Sequence, residues 1–205
     1  MKVFRLFTYA GALTGVLLAI AGTGAAGATM LCKTAPGGFT CPEHYGAGTT
    51  IEATFTSGST SIFETAEGTV LQTCAESTIK GKTQNTGSST ETIKVALESW
   101  TWGKCTRTMN TLKLGSLELH YHTAYGGPLT GTGSTEWTTN TIFGSCVYGT
   151  GTGLNLGTLS GGNPATISVN TAVPKISGNF ACPSTTLWTA NYTITTPEPL
   201  YVVPF

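Results

Sequence analysis

Apolar and polar residues alternate along most of this chain with a period of two, the pattern of β-strands that bury one face. In the clearest stretch, Ile93, Val95 and Leu97 are separated by polar or small residues. Similar short segments, with frequent turns between them, occur at residues 49–56, 61–64, 69–74, 111–123, 129–141, 142–148, 154–159, 165–169, 173–176, 187–195 and 201–203. The pattern predicts an all-β fold: an antiparallel β-sandwich or barrel, jelly-roll-like or immunoglobulin-like.

Residues 74–105 contain the most readable hairpin of the chain. A polar turn at residues 84–89 separates the alternating strand from a weaker one at residues 77–83. In the weaker strand Lys80 and Lys82 face away from the apolar side, and lysines on a strand discourage unwanted pairing. We therefore expect this arm to lie near a sheet edge.

A second stretch, residues 111–123, changes phase once. Leu112 and Leu114 share one face, whereas Leu117 and Leu119 share the other. Because an extra residue in a strand restores the facing of the side chains that follow it, the sequence predicts a β-bulge at Gly115 that keeps both pairs buried.

The first 28 residues have the composition of a secretory signal. Two basic residues precede a mostly apolar run at residues 8–22, which is too short to cross a bilayer as a helix. Ala26-Gly27-Ala28 fits a signal-peptidase site. We expect a signal-peptide helix at residues 1–28, and a mature chain of one domain at residues 29–205, without a membrane span, that is secreted or held at the cell surface.

Six cysteines in an exported chain predict three disulfides. Sequence alone leaves fifteen connectivities open, and the spacing lacks the close pairs of a structural zinc site. The six are Cys32, Cys41, Cys74, Cys105, Cys146 and Cys182.

A similarity between two segments of the chain, which we call the internal echo, suggests how these cysteines pair. Residues 64–74 and 136–146 share Glu, Thr, two apolar residues, a hydroxyl and Cys at the same offsets, and another cysteine follows each after a comparable interval. Two related units, at about residues 64–105 and 136–182, are one interpretation, and coincidence in a threonine-rich chain is the other. If the echo is real, it favours Cys74 with Cys105, Cys146 with Cys182, and Cys32 with Cys41. A simple hairpin places Cys74 opposite about Trp100, so the first pair would need a bulge or a bridge to a neighbouring strand.

Charge excludes some partners. The chain has 10 basic and 10 acidic residues and no basic stripe, which argues against binding to nucleic acid or to an anionic membrane surface. The sequence does not identify the partner; a surface glycan, a matrix component and a second copy of the chain are the candidates.

The general layout resembles known secreted proteins. It combines an export signal, Thr/Gly-rich strands, widely spaced cysteines and a CVYGTG turn at Cys146–Gly151. In these features the chain resembles uncharacterised secreted bacterial all-β proteins and is similar to the exoproteins known as activators of alkane oxidation. The resemblance implies an extracellular, surface-associated or matrix role, and it transfers no functional residue.

Tryptophans are the first candidates for a binding site. The alternation places Trp100 and Trp102 on one face, opposite Leu97, and Trp137 and Trp188 are further candidates. Exposed indoles on a sheet stack on sugar rings or apolar ligands. The alternative is that these large rings fill the core.

Glu118, His120 and His122 are the candidates for a metal site. In a continuous strand these three side chains point to one side, and His-x-His on a strand binds zinc or copper. A solvated outer face is the alternative interpretation.

Catalytic motifs are missing from the sequence. There is no nucleophile elbow, and the glycine-rich stretch at residues 149–153 lacks the Lys-Ser/Thr of a phosphate loop. The sequence implies no cofactor. It favours a secreted structural or binding protein rather than an enzyme, with a carbohydrate-binding module as the alternative and a secreted hydrolase as the third possibility.

Overall fold

The computed structural model describes residues 29–35, 37, 40–88, 90–122 and 125–204, so the predicted signal peptide lies outside the described residues. The described chain contains β-strands and no helix, which confirms the all-β prediction. The strands are β1 (Thr29–Cys32), β2 (Thr50–Phe55), β3 (Ser61–Glu64), β4 (Val70–Thr83), β5 (Ile93–Cys105), β6 (Met109–Lys113), β7 (Ser116–Leu119), β8 (Gly127–Gly131), β9 (Glu136–Thr141), β10 (Gly144–Gly149), β11 (Leu154–Ser160), β12 (Thr166–Gly178), β13 (Thr185–Thr196) and β14 (Tyr201–Pro204).

The main ladder closes on itself. From β4 through β5, β7, β8, β11 and β12 to β13, each strand pairs antiparallel with the next. The short strands β2 and β3 complete the ring, because each of them pairs with both β4 and β13. The result is a barrel-like antiparallel sheet, which we call the ring, and its inward-facing side chains form the core.

Two smaller sheets flank the ring. The end of β12 runs beyond it and pairs with β10, which pairs with β9, which pairs with β6; we call these three strands and the end of β12 the small sheet. At the opposite end, β1 and β14 pair with each other and form the cover. Leu31, Leu200 and Val202 of this region are buried.

The predicted edge position of residues 77–83 is wrong. Strand β4 lies in the interior of the sheet, between β5 on one side and β2 and β3 on the other. Lys80 and Lys82 instead face outward, where their ammonium groups lie 3.1 Å from Glu52 and 2.9 Å from Glu98. Both ion pairs are solvent-exposed, so each contributes at most about 1 kcal/mol.

A bulge in β5 corrects the predicted facing of the tryptophans. Lys80 pairs with Ser99 whereas Gly81 pairs with Leu97, so Glu98 is the extra residue. The extra residue brings Trp100 to the same face as Leu97, not the opposite one. The same register, with a loop longer than the predicted turn, sets Cys74 directly opposite Cys105.

The predicted bulge at Gly115 is also wrong. The chain does not continue as one strand there, because β6 belongs to the small sheet and β7 to the ring. The two leucine pairs therefore need not share a phase, and Leu112 and Leu114 are 57% and 37% exposed. A Cβ at Gly115 would lie 2.3 Å from the carbonyl oxygen of Gly133, so this crossing requires glycine.

All six cysteines are paired, as Cys32–Cys41, Cys74–Cys105 and Cys146–Cys182. This confirms three disulfides and the connectivity that the internal echo favours. The two echoed units nevertheless differ in their strands. Cys74 and Cys105 join the arms of one hairpin, whereas Cys146 in β10 is bonded to a cysteine after β12, with β11 between them in the chain.

No helix among the described residues is long and apolar enough to cross a membrane.

Candidate functional site

The four tryptophans form one cluster where the ring meets the small sheet. Trp100 and Trp102 come from β5, Trp137 from β9 and Trp188 from β13. Every pair of indoles lies with ring centroids between 5.2 and 6.3 Å apart. Trp100, Trp137 and Trp188 are buried and Trp102 is half-buried.

This burial corrects the predicted sugar platform. Stacking on a sugar requires an indole face open to solvent, whereas Trp100 and Trp137 are buried, and Trp102 is half-buried and stacks on Trp100. Trp188 stacks on Phe63 with centroids 5.7 Å apart and nearly parallel planes. The alternative interpretation agrees with the structure: the indole rings are part of the core.

Hydroxyl groups fix the orientation of the rings. The indole N–H of Trp188 donates to Ser61 Oγ at 2.9 Å, and that of Trp100 donates to Ser77 Oγ at 3.2 Å. The Tyr192 hydroxyl lies 3.1 Å from the same Ser77 oxygen. Each of these polar groups is buried, so its desolvation is offset by a hydrogen bond within the core.

Replacing Ser61 by alanine is expected to lower the free energy of unfolding by about 1–3 kcal/mol, because it leaves the buried Trp188 N–H without a partner. Urea unfolding followed by circular dichroism measures the change. Ser57→Ala, in an exposed turn, is the matched control and should stay within about 0.5 kcal/mol of wild type. Equal effects of the two substitutions would contradict the role given to Ser61.

The ring encloses an apolar cavity beside this cluster. Its volume is about 50 Å³, and twenty residues line it. Every ring strand except β3 contributes, with side chains such as Ala53, Val95, Leu117, Leu156 and Ile167. Sequence alternation marks many of these residues as inward-facing, but it does not show that the strands surround a common space.

Both ends of the cavity are closed. Leu31 and Leu200 line it from the cover, and Trp100 and Trp188 line it from the tryptophan cluster. The cover is held on the ring by contacts outside any ladder, such as the hydrogen bond from the Tyr121 amide to Thr29 Oγ1 at 2.9 Å. The loop between β1 and β2 is in turn joined to the cover region by the Tyr45 hydroxyl, which donates to the Pro199 carbonyl at 2.7 Å, and by the Cys32–Cys41 disulfide.

The cavity wall has almost no free polar chemistry. Of the described lining side chains, three have a nitrogen or oxygen atom: Trp100, Trp188 and Tyr192. Each of these atoms is hydrogen-bonded to the hydroxyl of a serine. Burial raises the pKa of Tyr192, so its hydroxyl stays neutral at physiological pH. Among the residues that the structure describes, no carboxylate, imidazole or amine lines the cavity. The site is built to exclude water, not to transfer protons.

The predicted metal face does not form. Strand β7 ends at Leu119, so the alternation that would align His120 and His122 with Glu118 stops before either histidine. Glu118 instead accepts a hydrogen bond from Thr92, and one of its oxygens lies 3.9 Å from His120 Nε2. Among the described residues there is no group of three or more His, Cys, Asp or Glu that could hold a metal ion.

A second buried tyrosine makes stability sensitive to alkaline pH. Burial raises the pKa of Tyr148, whose hydroxyl donates to the Pro183 carbonyl at 3.3 Å, from 10.0 to about 12. The unfolded chain therefore loses this proton at lower pH than the folded protein, and stability that is complete below pH 10 falls as the pH rises towards 12. Tyr192 acts in the same direction.

We expect the urea concentration at the midpoint of unfolding to decrease as the pH rises from 10 to 12. The decrease should be smaller in Tyr148→Phe, which has no phenolic proton to lose. Tyr125→Phe, at a surface position, is the control. An equal decrease in Tyr148→Phe and in wild type would show that another group causes the alkaline loss.

Comparison of the chain with models of known protein families, with curated protein sequences and with solved structures finds no match.

Proposed function

We propose that this chain is an exported, non-catalytic protein that works as a binding or structural domain at the cell surface or in the extracellular matrix. The observation that supports this most strongly is the pairing of all six cysteines. Such disulfide frameworks persist in oxidising compartments and are rare where thiols are kept reduced. The export-type sequence at residues 1–28 is consistent with this location.

Within this proposal, a binding role has more support than a purely structural one. A protein that serves only as a scaffold gains nothing from an unfilled interior, since packing defects cost stability. The enclosed apolar cavity is such a defect, and it lies at the centre of the ring. Carbohydrate binding through the tryptophans has less support because Trp100 and Trp137 are buried, and Trp102 is half-buried and stacks on Trp100.

Export is tested by expressing the full chain in a bacterium, beside a variant that lacks residues 2–28, and locating both with an antibody against the folded protein. We expect the full chain to be recovered outside the cytoplasm with Thr29 as its first residue, and the shortened chain to stay inside. Full chain that stays in the cytoplasm with residues 1–28 attached would contradict the proposal.

A further inference from the structure

We propose that the cavity inside the ring is a binding site for a small, uncharged, apolar molecule. The inference rests on the proposed binding function and gives it a ligand class. The cavity lies inside the ring, is about 50 Å³ in volume, and is lined by aliphatic and aromatic side chains from eight ring strands and the cover.

Water is a poor occupant of this space. One buried water needs about 10–15 Å³ of room and two to four polar partners. The cavity is large enough for water, but the polar atoms of its wall already have hydrogen-bond partners. Trp100 and Tyr192 are hydrogen-bonded to Ser77, and Trp188 is hydrogen-bonded to Ser61. Apolar cavities of this kind stay dry.

An apolar guest is favoured for the same reason. Lining atoms that face empty space lack dispersion partners, and a guest of matching shape restores those contacts. A guest with a charge or a hydroxyl group would lose its hydrogen bonds to water and gain none from the wall. The cavity therefore selects for low polarity, and its volume of about 50 Å³, roughly a third of the 150 Å³ of an apolar cavity that binds benzene, selects for molecules of the size of xenon or ethane.

The cover is the side through which such a molecule enters. Ring strands are joined to their neighbours by continuous ladders, whereas β1 and β14, within the described part of the chain, form a ladder only with each other. Moving the cover breaks loop contacts, while opening the ring separates paired strands. The other end is closed by Trp100 and Trp188, which are packed against two further indoles.

The experiment uses the purified, oxidised protein with methyl-labelled Ile, Leu and Val, and xenon and ethane under pressure as probes. We expect saturable shifts of the methyl signals of lining residues such as Leu117 and Ile167, with smaller changes at the exposed Leu112. Ethanol, which adds one hydroxyl to ethane, should bind at least tenfold more weakly. The absence of saturable shifts with both xenon and ethane would overturn the proposal.

Matched variants locate the site. Ala53→Leu fills the cavity from β2 and should weaken xenon binding at least tenfold, whereas Thr54→Leu, at the next position and outside the lining, should leave it unchanged. If Ala53→Leu does not fold, Ala53→Val adds less volume and should weaken binding in the same direction. Binding that is equal in the folded Ala53 and Thr54 variants would place the site elsewhere and overturn the proposal.

Failure here is distinguishable from failure of the proposed function. The methyl shifts are measured on purified protein and do not depend on export, whereas the location experiment does not depend on a ligand. If the protein is exported but binds neither probe, the proposed location outside the cytoplasm is supported and the proposed ligand site is refuted.

Discussion

Replacing Trp188 by alanine is expected to lower the free energy of unfolding by about 3–5 kcal/mol, which is the usual cost of deleting a fully buried large aromatic side chain. Trp188 has no solvent exposure. Its ring contacts Phe63, Trp100 and Trp137 at centroid distances of 5.7, 5.6 and 5.3 Å. Since domains of this size are stable by only about 5–15 kcal/mol, the loss is a large fraction of the total.

The measurement is urea unfolding followed by circular dichroism, because the substitution also changes the fluorescence. Trp102→Ala is the matched control: it removes the same side chain from the same cluster, but from a half-buried position. We expect a clearly smaller loss for Trp102→Ala. A Trp188→Ala protein within 1 kcal/mol of wild type would show that the cluster does not hold the ring and the small sheet together.

The double substitution of Cys146 and Cys182 by serine is expected to cost about 2–5 kcal/mol. This disulfide joins residues 36 positions apart and fixes β10 of the small sheet to the segment after β12. Its loss should therefore loosen the small sheet more than the ring. Hydrogen exchange with mass spectrometry should show lower protection in β9 and β10, with little change in β7 and β8.

The control is the Cys32→Ser, Cys41→Ser double variant, whose disulfide spans 9 positions. A shorter closed loop restricts the unfolded chain less, so its removal should cost less. A larger loss from the 32–41 pair, or a uniform loss of protection after removal of the 146–182 pair, would contradict the arrangement of the two sheets.

Local sequence patterns predicted which face of a strand points into the core, but not which strands pair with each other. Alternation identified Ile93, Val95 and Leu97 as inward-facing, and they are buried. The position of β4 depends on β2 and β3, which also pair with the distant β13, and no local pattern reports such pairing. One unpaired residue, Glu98, was enough to reverse the predicted facing of Trp100.

The candidate site was less predictable than the fold for the same reason. A cavity inside a ring exists only because the ladder closes, and closure depends on contacts between strands more than 100 positions apart, such as Phe55 with Tyr192. The predicted metal site at His120 and His122 was wrong for a local reason. Its prediction assumed a strand through residues 118–122, but the strand ends at Leu119.

Peptide mapping of the protein recovered from outside the cell, digested without reduction and analysed by mass spectrometry, tests most directly the claim that disulfides close an exported β-domain. The account predicts an N-terminus at Thr29 and three linked peptide pairs, Cys32–Cys41, Cys74–Cys105 and Cys146–Cys182, with no free thiol. Free thiols at these positions, or a different set of linked peptides, would contradict it.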